Sequence, residues 1–105
     1  MNRTTGKMFP MTDKLTTAYI NSAISQLKEQ FEGLKITHYP VSVQMAFYYP
    51  TEHRKDIDNS ASTILDCMVS AGILTDDDCK HVDELYCSFA GYDKDNPRVE
   101  IILVD

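Results

Sequence analysis

Val41-Ser42-Val43-Gln44-Met45-Ala46-Phe47-Tyr48-Tyr49-Pro50 is the stretch on which the reading of the fold turns. Apolar Val41, Val43, Met45, Phe47 and Tyr49 alternate with Ser42, Gln44, Ala46 and Tyr48, the period of a strand with one face in a core, and Pro50 ends it. On either side the period changes to that of a helix. Upstream, Leu15, Ala18, Ile20, Ala23, Ile24, Leu27 and Phe31 predict an amphipathic helix from Asp13 to about Phe31, with Thr12 or Asp13 as N-cap and Gly33 as stop. Downstream, Ala61, Ile64, Leu65, Met68 and Ala71 predict a second helix over 59–71, capped by Asp58 and ended by Gly72.

Val82 to Ala90 and Val99 to Val104 read as two further strands, joined by the turn-rich Tyr92-Asp93-Lys94-Asp95-Asn96-Pro97 into a C-terminal β-hairpin. Residues 1–12, polar and containing Gly6 and Pro10, read as a basic N-terminal arm with no strand of their own. The expected architecture is α+β: a small two-layer domain with a mixed sheet and two helices packed on it. At 105 residues the chain is expected to be one domain, 1–105, with enough length for one core.

Composition narrows the function classes. Hydrophobic residues make up 43% and charged residues 25%, an ordinary globular balance, and no apolar run approaches the roughly 20 residues of a membrane span. The first ten residues lack an apolar export segment, so a cytoplasmic location is expected, with no membrane partner. Cys67, Cys79 and Cys87 are odd in number and form no C-x-x-C pair, which argues for reduced thiols. A transition-metal site from Cys79, His81 and Cys87 is weaker than a packing role.

The net charge is −6, but it is unevenly spread. Residues 1–55 carry seven Lys/Arg against four Asp/Glu, a balance of +3, while residues 56–105 carry three against twelve, a balance of −9. Bound divalent cations would offset that acid locally and let it accept a phosphate.

The acid falls where chemistry is expected. Arg54-Lys55-Asp56-Ile57-Asp58-Asn59 at the second helix's start, and Asp76-Asp77-Asp78 after its end, offer the hard oxygen ligands that Mg²⁺ takes, beside cations suited to phosphate. Six residues from Gly72 to Asp77 span at most roughly 20 Å, just enough for Asp77 to return to Asp56 and Asp58 if the segment doubles back along the helix. A helix one turn longer would require the third carboxylate to come from a partner chain. The Asp-x-Asp-Asn starts at Asp56 and Asp93 are not calcium loops, because Gly and Glu are missing at the sixth and twelfth positions. Tyr48, Tyr49 and His53 near Arg54 are candidates for stacking on bases, weighed against a packing role on the sheet.

In their order and spacing, Arg54-Lys55-Asp56-Ile57-Asp58-Asn59, the helix ending Ala71-Gly72-Ile73-Leu74, and Asp76-Asp77-Asp78 leading into Lys80-His81-Val82-Asp83-Glu84-Leu85 resemble the RusA family of Holliday junction resolvases. The resemblance covers residues 41–105 and is strongest between 54 and 89. It implies a homodimeric, Mg²⁺-dependent endonuclease, Mn²⁺ substituting, that makes paired nicks in four-way DNA junctions during recombination and repair and is often encoded by phages or prophages. It places the catalytic, metal-binding carboxylates on Asp56, Asp58 and Asp77, with Asp76 the competitor for the third place. Arg54 and Lys55 fall where backbone phosphate would be contacted, and Arg3, Lys7 and Lys80 are further DNA-binding candidates.

Two departures from the family stand out. Ser62 occupies the position six residues after the first Asp where the family usually has a lysine, and the strand that commonly precedes the basic loop has no counterpart in the pattern. They keep open a protein of the same fold that holds branched DNA without cutting it, and an interaction-only prophage remnant.

Overall fold

A computed structural model describes residues 4–10 (4–9 by their backbone), 16–32, 36, 39–52, 57–76 and 80–104. The elements run β1 (Thr4–Pro10), α1 (Thr17–Gln30), β2 (Val41–Tyr49), α2 (Ile57–Ser70), β3 (Val82–Tyr92) and β4 (Arg98–Val104). The strands form one mixed sheet in the order β1-β4-β2-β3.

The alternation in β2 becomes burial alternation: Val41, Val43, Met45, Phe47 and Tyr49 are all buried, and the residues between them are half-buried. Val99, Ile101 and Leu103 of β4 continue that inward face. Ala23, Leu27 and Phe31 from α1 and its C-cap, and Ala61, Ile64, Leu65, Cys67 and Met68 from α2, complete the core, so both helices cover the same side of the sheet. This is the expected two-layer α+β arrangement. No helix among the described residues is long and apolar enough to cross a membrane.

Three expectations change. The stretch read as an arm contributes β1, antiparallel to β4 from Thr4 opposite Val104 to Pro10 opposite Arg98. An edge strand takes its identity from the ladder it completes, and Gly6 and Lys7 interrupt the alternation that would announce it. Pro10 is tolerated because it closes an edge strand.

The second change concerns the hairpin. β3 and β4 do not pair with each other: β2 lies between them, parallel to β3 and antiparallel to β4. Strand β2, with no charge on either face, suits an interior place, whereas β3 carries exposed Asp83 and Glu84 and suits an edge. The connection crosses the end of β2, where Asp93 N–H donates to the Tyr49 carbonyl at 2.9 Å. The Asp93 carboxylate then gathers the N–H groups of Asp95 (3.2 Å) and Asn96 (3.0 Å) and the Arg98 guanidinium (2.9 Å). Five residues easily cover the two strand spacings, roughly 10 Å, that this step requires.

The third change is a cap. Helix α1 starts at Thr17 with Thr16 as N-cap, its hydroxyl accepting from Tyr19 N–H at 3.2 Å. Tyr19 in turn donates its hydroxyl to the Pro10 carbonyl at 2.7 Å, fastening α1 to the end of β1. Thr12, Asp13 and Gly33 lie outside the described residues.

Candidate metal and DNA site at the start of helix α2

Tyr49, the last residue of β2, is 1% exposed, and its hydroxyl lies 2.9 Å from that of Ser60, buried in the first turn of α2. Two buried hydroxyls that satisfy each other fix where the helix begins relative to the strand end. The turn so anchored presents Asp58, Asn59 and Ser62 to solvent. Asp58 lies inside the helix as its second residue, not at the cap, and its Oδ1 meets Asn59 N–H at 2.9 Å. Asp58 and Ser62 are four residues apart and share a helix face. The exposed N–H groups and partial positive charge of a helix start favour a carboxylate or a phosphate there.

The other end of α2 is closed with equal definition. Gly72 has φ +80, a conformation that glycine adopts without strain. Its N–H donates to the Val69 carbonyl at 3.0 Å, and those of Ile73 and Leu74 donate to Met68 at 3.0 and 3.4 Å. This is the Schellman closure that Gly72 predicts. The chain then sinks Leu74 into the core and reaches Thr75, whose N–H donates to the Tyr39 hydroxyl at 3.3 Å. Thr75 Oγ1 lies 3.3 Å from the same hydroxyl. The His81 ring meets Tyr39 edge-on at 4.9 Å, and Val41 N–H donates to the His81 carbonyl at 2.8 Å.

Tyr39 precedes β2 and Tyr49 ends it, so these two anchors hold Asp76 and Asp58 at opposite ends of one strand. Nine strand residues extend about 30 Å at ~3.3 Å each. The fourteen residues of α2 span about 21 Å. Within one chain, Asp58 and the exposed Asp76 are therefore not brought together. Among the described residues, no three His, Cys, Asp or Glu side chains converge on a metal position.

Of the other expected site residues, Lys80 is exposed at the turn entering β3, near the Tyr39 end. Lys7 stands opposite Ile101 in the β1–β4 ladder. Arg3, Arg54, Lys55, Asp56 and Asp77 lie outside the described residues, as do His53, Asp78 and Cys79. The aromatic candidates are engaged elsewhere. Tyr49 is buried and stacks on Phe47 at 5.9 Å, and the Tyr48 ring carries the Arg98 guanidinium 3.7 Å from its centroid. Arg98 is also ion-paired with Asp93 and with Glu100 at 2.6 Å, so it is a structural cation. Burial raises the pKa of the Cys67 and Cys87 thiols, Cys67 with a further push from Asp66, which suits packing roles.

Tyr39 and Ser60, whose contacts fix Thr75 and the first turn of α2, carry no sequence signal. A Tyr before Pro40 and a Ser in a helix's first turn are ordinary until their partners across the fold are known.

The sequence model of the family described as endodeoxyribonuclease RusA matches residues 1–104. Among curated proteins, the crossover junction endodeoxyribonuclease RusA of Aquifex aeolicus (strain VF5) is 38% identical over 55 residues. That stretch takes in 52% of this chain and only 43% of the relative's length. Because the family match spans all four strands and both helices, the chain belongs to the RusA family of endodeoxyribonucleases.

Proposed function

We propose that the chain is a divalent-metal-dependent, structure-selective endonuclease that resolves four-way DNA junctions by paired symmetric nicks, in recombination or repair. The observation that carries this reading is Asp58, an exposed carboxylate held on the first turn of α2 by the Tyr49–Ser60 anchor, in a chain of the RusA family.

The donor set fits a hard cation. Asp56, Asp58 and Asp77, with Asp76 as neighbour, offer only carboxylate oxygens, the ligands of Mg²⁺ and Mn²⁺. When bound, such an ion activates water and stabilises charge on the attacked phosphate. The protein's own part is to hold the carboxylates and orient the backbone. Arg54, Lys55 and Lys80, with Arg3 and Lys7, are assigned to phosphate contacts, which position DNA without reading its sequence. The helix start adds N–H donors for an anion. With a net charge of −6, binding should be weak without metal and fall with salt. A homodimer, one site for each of two symmetry-related strands, and a cytoplasmic location go with this reading.

A non-cutting, junction-holding protein is favoured by one feature: Ser62 stands exposed one turn from Asp58, where a cation would stabilise the transition state. The test is cleavage of an end-labelled synthetic four-way junction beside matched linear duplex, in Mg²⁺ and then Mn²⁺, with Asp58→Asn as control. Paired nicks in the junction alone, absent from the control, are expected. Binding without nicks in either metal would replace the nuclease by the holding protein, and an active Asp58→Asn would remove the metal assignment.

A further inference from the structure

The described residues include five of the chain's cations: Lys7 by its backbone, and Lys28, Lys80, Lys94 and Arg98 with their side chains. Their places in the fold differ. Helix α1 is fastened by Tyr19 to Pro10, opposite Arg98 in the sheet, and runs back about 21 Å from there. Lys28, in its last turn, therefore lies toward the Tyr39 end of the fold, the end that Lys80 shares. Arg98 is bound within the fold by Asp93, Glu100 and the Tyr48 ring. Lys94 alone of these combines an exposed side chain with a place at the Tyr49 end, and no ion pair among the described residues involves it.

The turn that carries Lys94 is a built element. Asp93 N–H is bonded to the Tyr49 carbonyl, and the Asp93 carboxylate holds the N–H groups of Asp95 and Asn96 and the Arg98 guanidinium. The Tyr49 hydroxyl in turn meets that of Ser60, two residues after Asp58. One residue, Tyr49, thus positions both Lys94 and Asp58, the first through its backbone and the second through its side chain. Sheet and helix layers are separated by about one helix diameter, ~10 Å, so Lys94 and Asp58 lie on the order of 15 Å apart. That is less than half a turn of duplex, which repeats over roughly 34 Å. A DNA arm with a phosphate at Asp58 passes over the 93–97 turn with a further phosphate in reach of a lysine side chain. A cation on a turn already fixed in this way also loses little freedom when it meets its anion.

We infer that Lys94 is a phosphate-contacting residue of the DNA site, held by the 93–97 turn beside the start of α2, and that it takes over the strand-holding part of the role of the cation absent at Ser62. The inference rests on the reading of the α2 start as the DNA site. It places Lys94 on a phosphate neighbouring the attacked one, where it positions the strand and does not take part in the chemistry. Asp95, exposed beside it, faces the same field with the opposite sign and hence serves as a probe of it.

Fluorescence anisotropy of a labelled four-way junction in Ca²⁺, over a salt series, tests the contact. Lys94→Ala is expected to weaken binding about fivefold and to reduce the slope of log affinity against log salt by about 1, the signature of one lost phosphate contact. Lys94→Arg should keep both values, and Asp95→Asn should tighten binding about twofold by removing a repelled charge. Lys28→Ala, an equally exposed lysine at the far end, should match the parent. An affinity and salt slope unchanged by Lys94→Ala would overturn the assignment, whether or not the protein cuts.

The link to Ser62 is tested by single-turnover nicking with enzyme below saturation. Lys94→Ala should slow the parent about fivefold but slow a Ser62→Lys background by less than about twofold, because a lysine at 62 then holds the same strand. Equal losses in the two backgrounds would show that Lys94 does not stand in for the missing cation. A parent that binds the junction without nicking it, with Lys94→Ala binding less, would remove the nuclease reading and keep the contact. A parent that binds no junction would remove both.

Discussion

The Tyr49 hydroxyl and the Ser60 hydroxyl, 2.9 Å apart and both buried, join the end of β2 to the first turn of α2. The contact sets the position of Asp58 without touching it. Tyr49→Phe leaves the Ser60 hydroxyl short of this partner in the core and is expected to cost about 1–2 kcal/mol, with Ser60→Ala costing a similar amount. The double variant should cost less than the sum, because neither polar group is then stranded. Urea unfolding of the four proteins measures this coupling, and strictly additive costs would show that the hydroxyls do not act as a pair.

Tyr39 plays the corresponding part at the other end of β2, where it holds Thr75. These bonds are long and the ring is partly exposed, so Tyr39→Phe should change stability by no more than about 1 kcal/mol. Its larger effect should fall on Mn²⁺ affinity, about tenfold weaker, because the residue before Asp76 loses its tether. Calorimetric titration of parent and variant separates the two effects. An unchanged affinity would leave Tyr39 a packing residue only.

Ser62 shares a solvent-facing stripe of α2 with Asp58. Ser62→Lys is expected to raise junction cleavage about tenfold, equivalent to roughly 1.4 kcal/mol of barrier. Stability should move by less than ~0.5 kcal/mol, as for an exposed site. Single-turnover rates at saturating metal give the comparison. A slower variant would place the scissile phosphate away from this stripe.

The Asp93 carboxyl is held below the ordinary carboxylate range, first by the Asn96 N–H and then by the Arg98 guanidinium and the Asp95 N–H. A folded-state pKa below the unfolded one contributes stability that is present at neutral pH and lost as pH falls through the acid range toward that lowered value. Thermal midpoints between pH 7 and pH 3 should therefore fall, and Asp93→Asn should flatten that fall while lowering the neutral-pH value. An identical acid slope in the variant would show that the turn does not bind its charge.

Much of this protein is determined by local pattern. Alternation from Val41 to Tyr49 defines β2 and its inward face, helical spacing from Ala61 to Met68 defines α2, and Gly72 closes it, because strand period, helix period and a left-handed residue are properties of neighbouring residues. The acidic motif is legible for the same reason: Asp56, Asp58 and the Asp76 run are recognised by residue type and spacing. What the tertiary structure alone decided is which ends meet. Strand β1 is defined by its ladder with β4 and β2 inserts between β3 and β4, since pairing energy lies in hydrogen bonds between distant segments that no local period encodes. The same holds for the site. Spacing allowed the acidic run to double back toward Asp58, but Leu74 finds its place in the core and Thr75 its partner in Tyr39, and these long-range contacts hold Asp76 at the far end of β2.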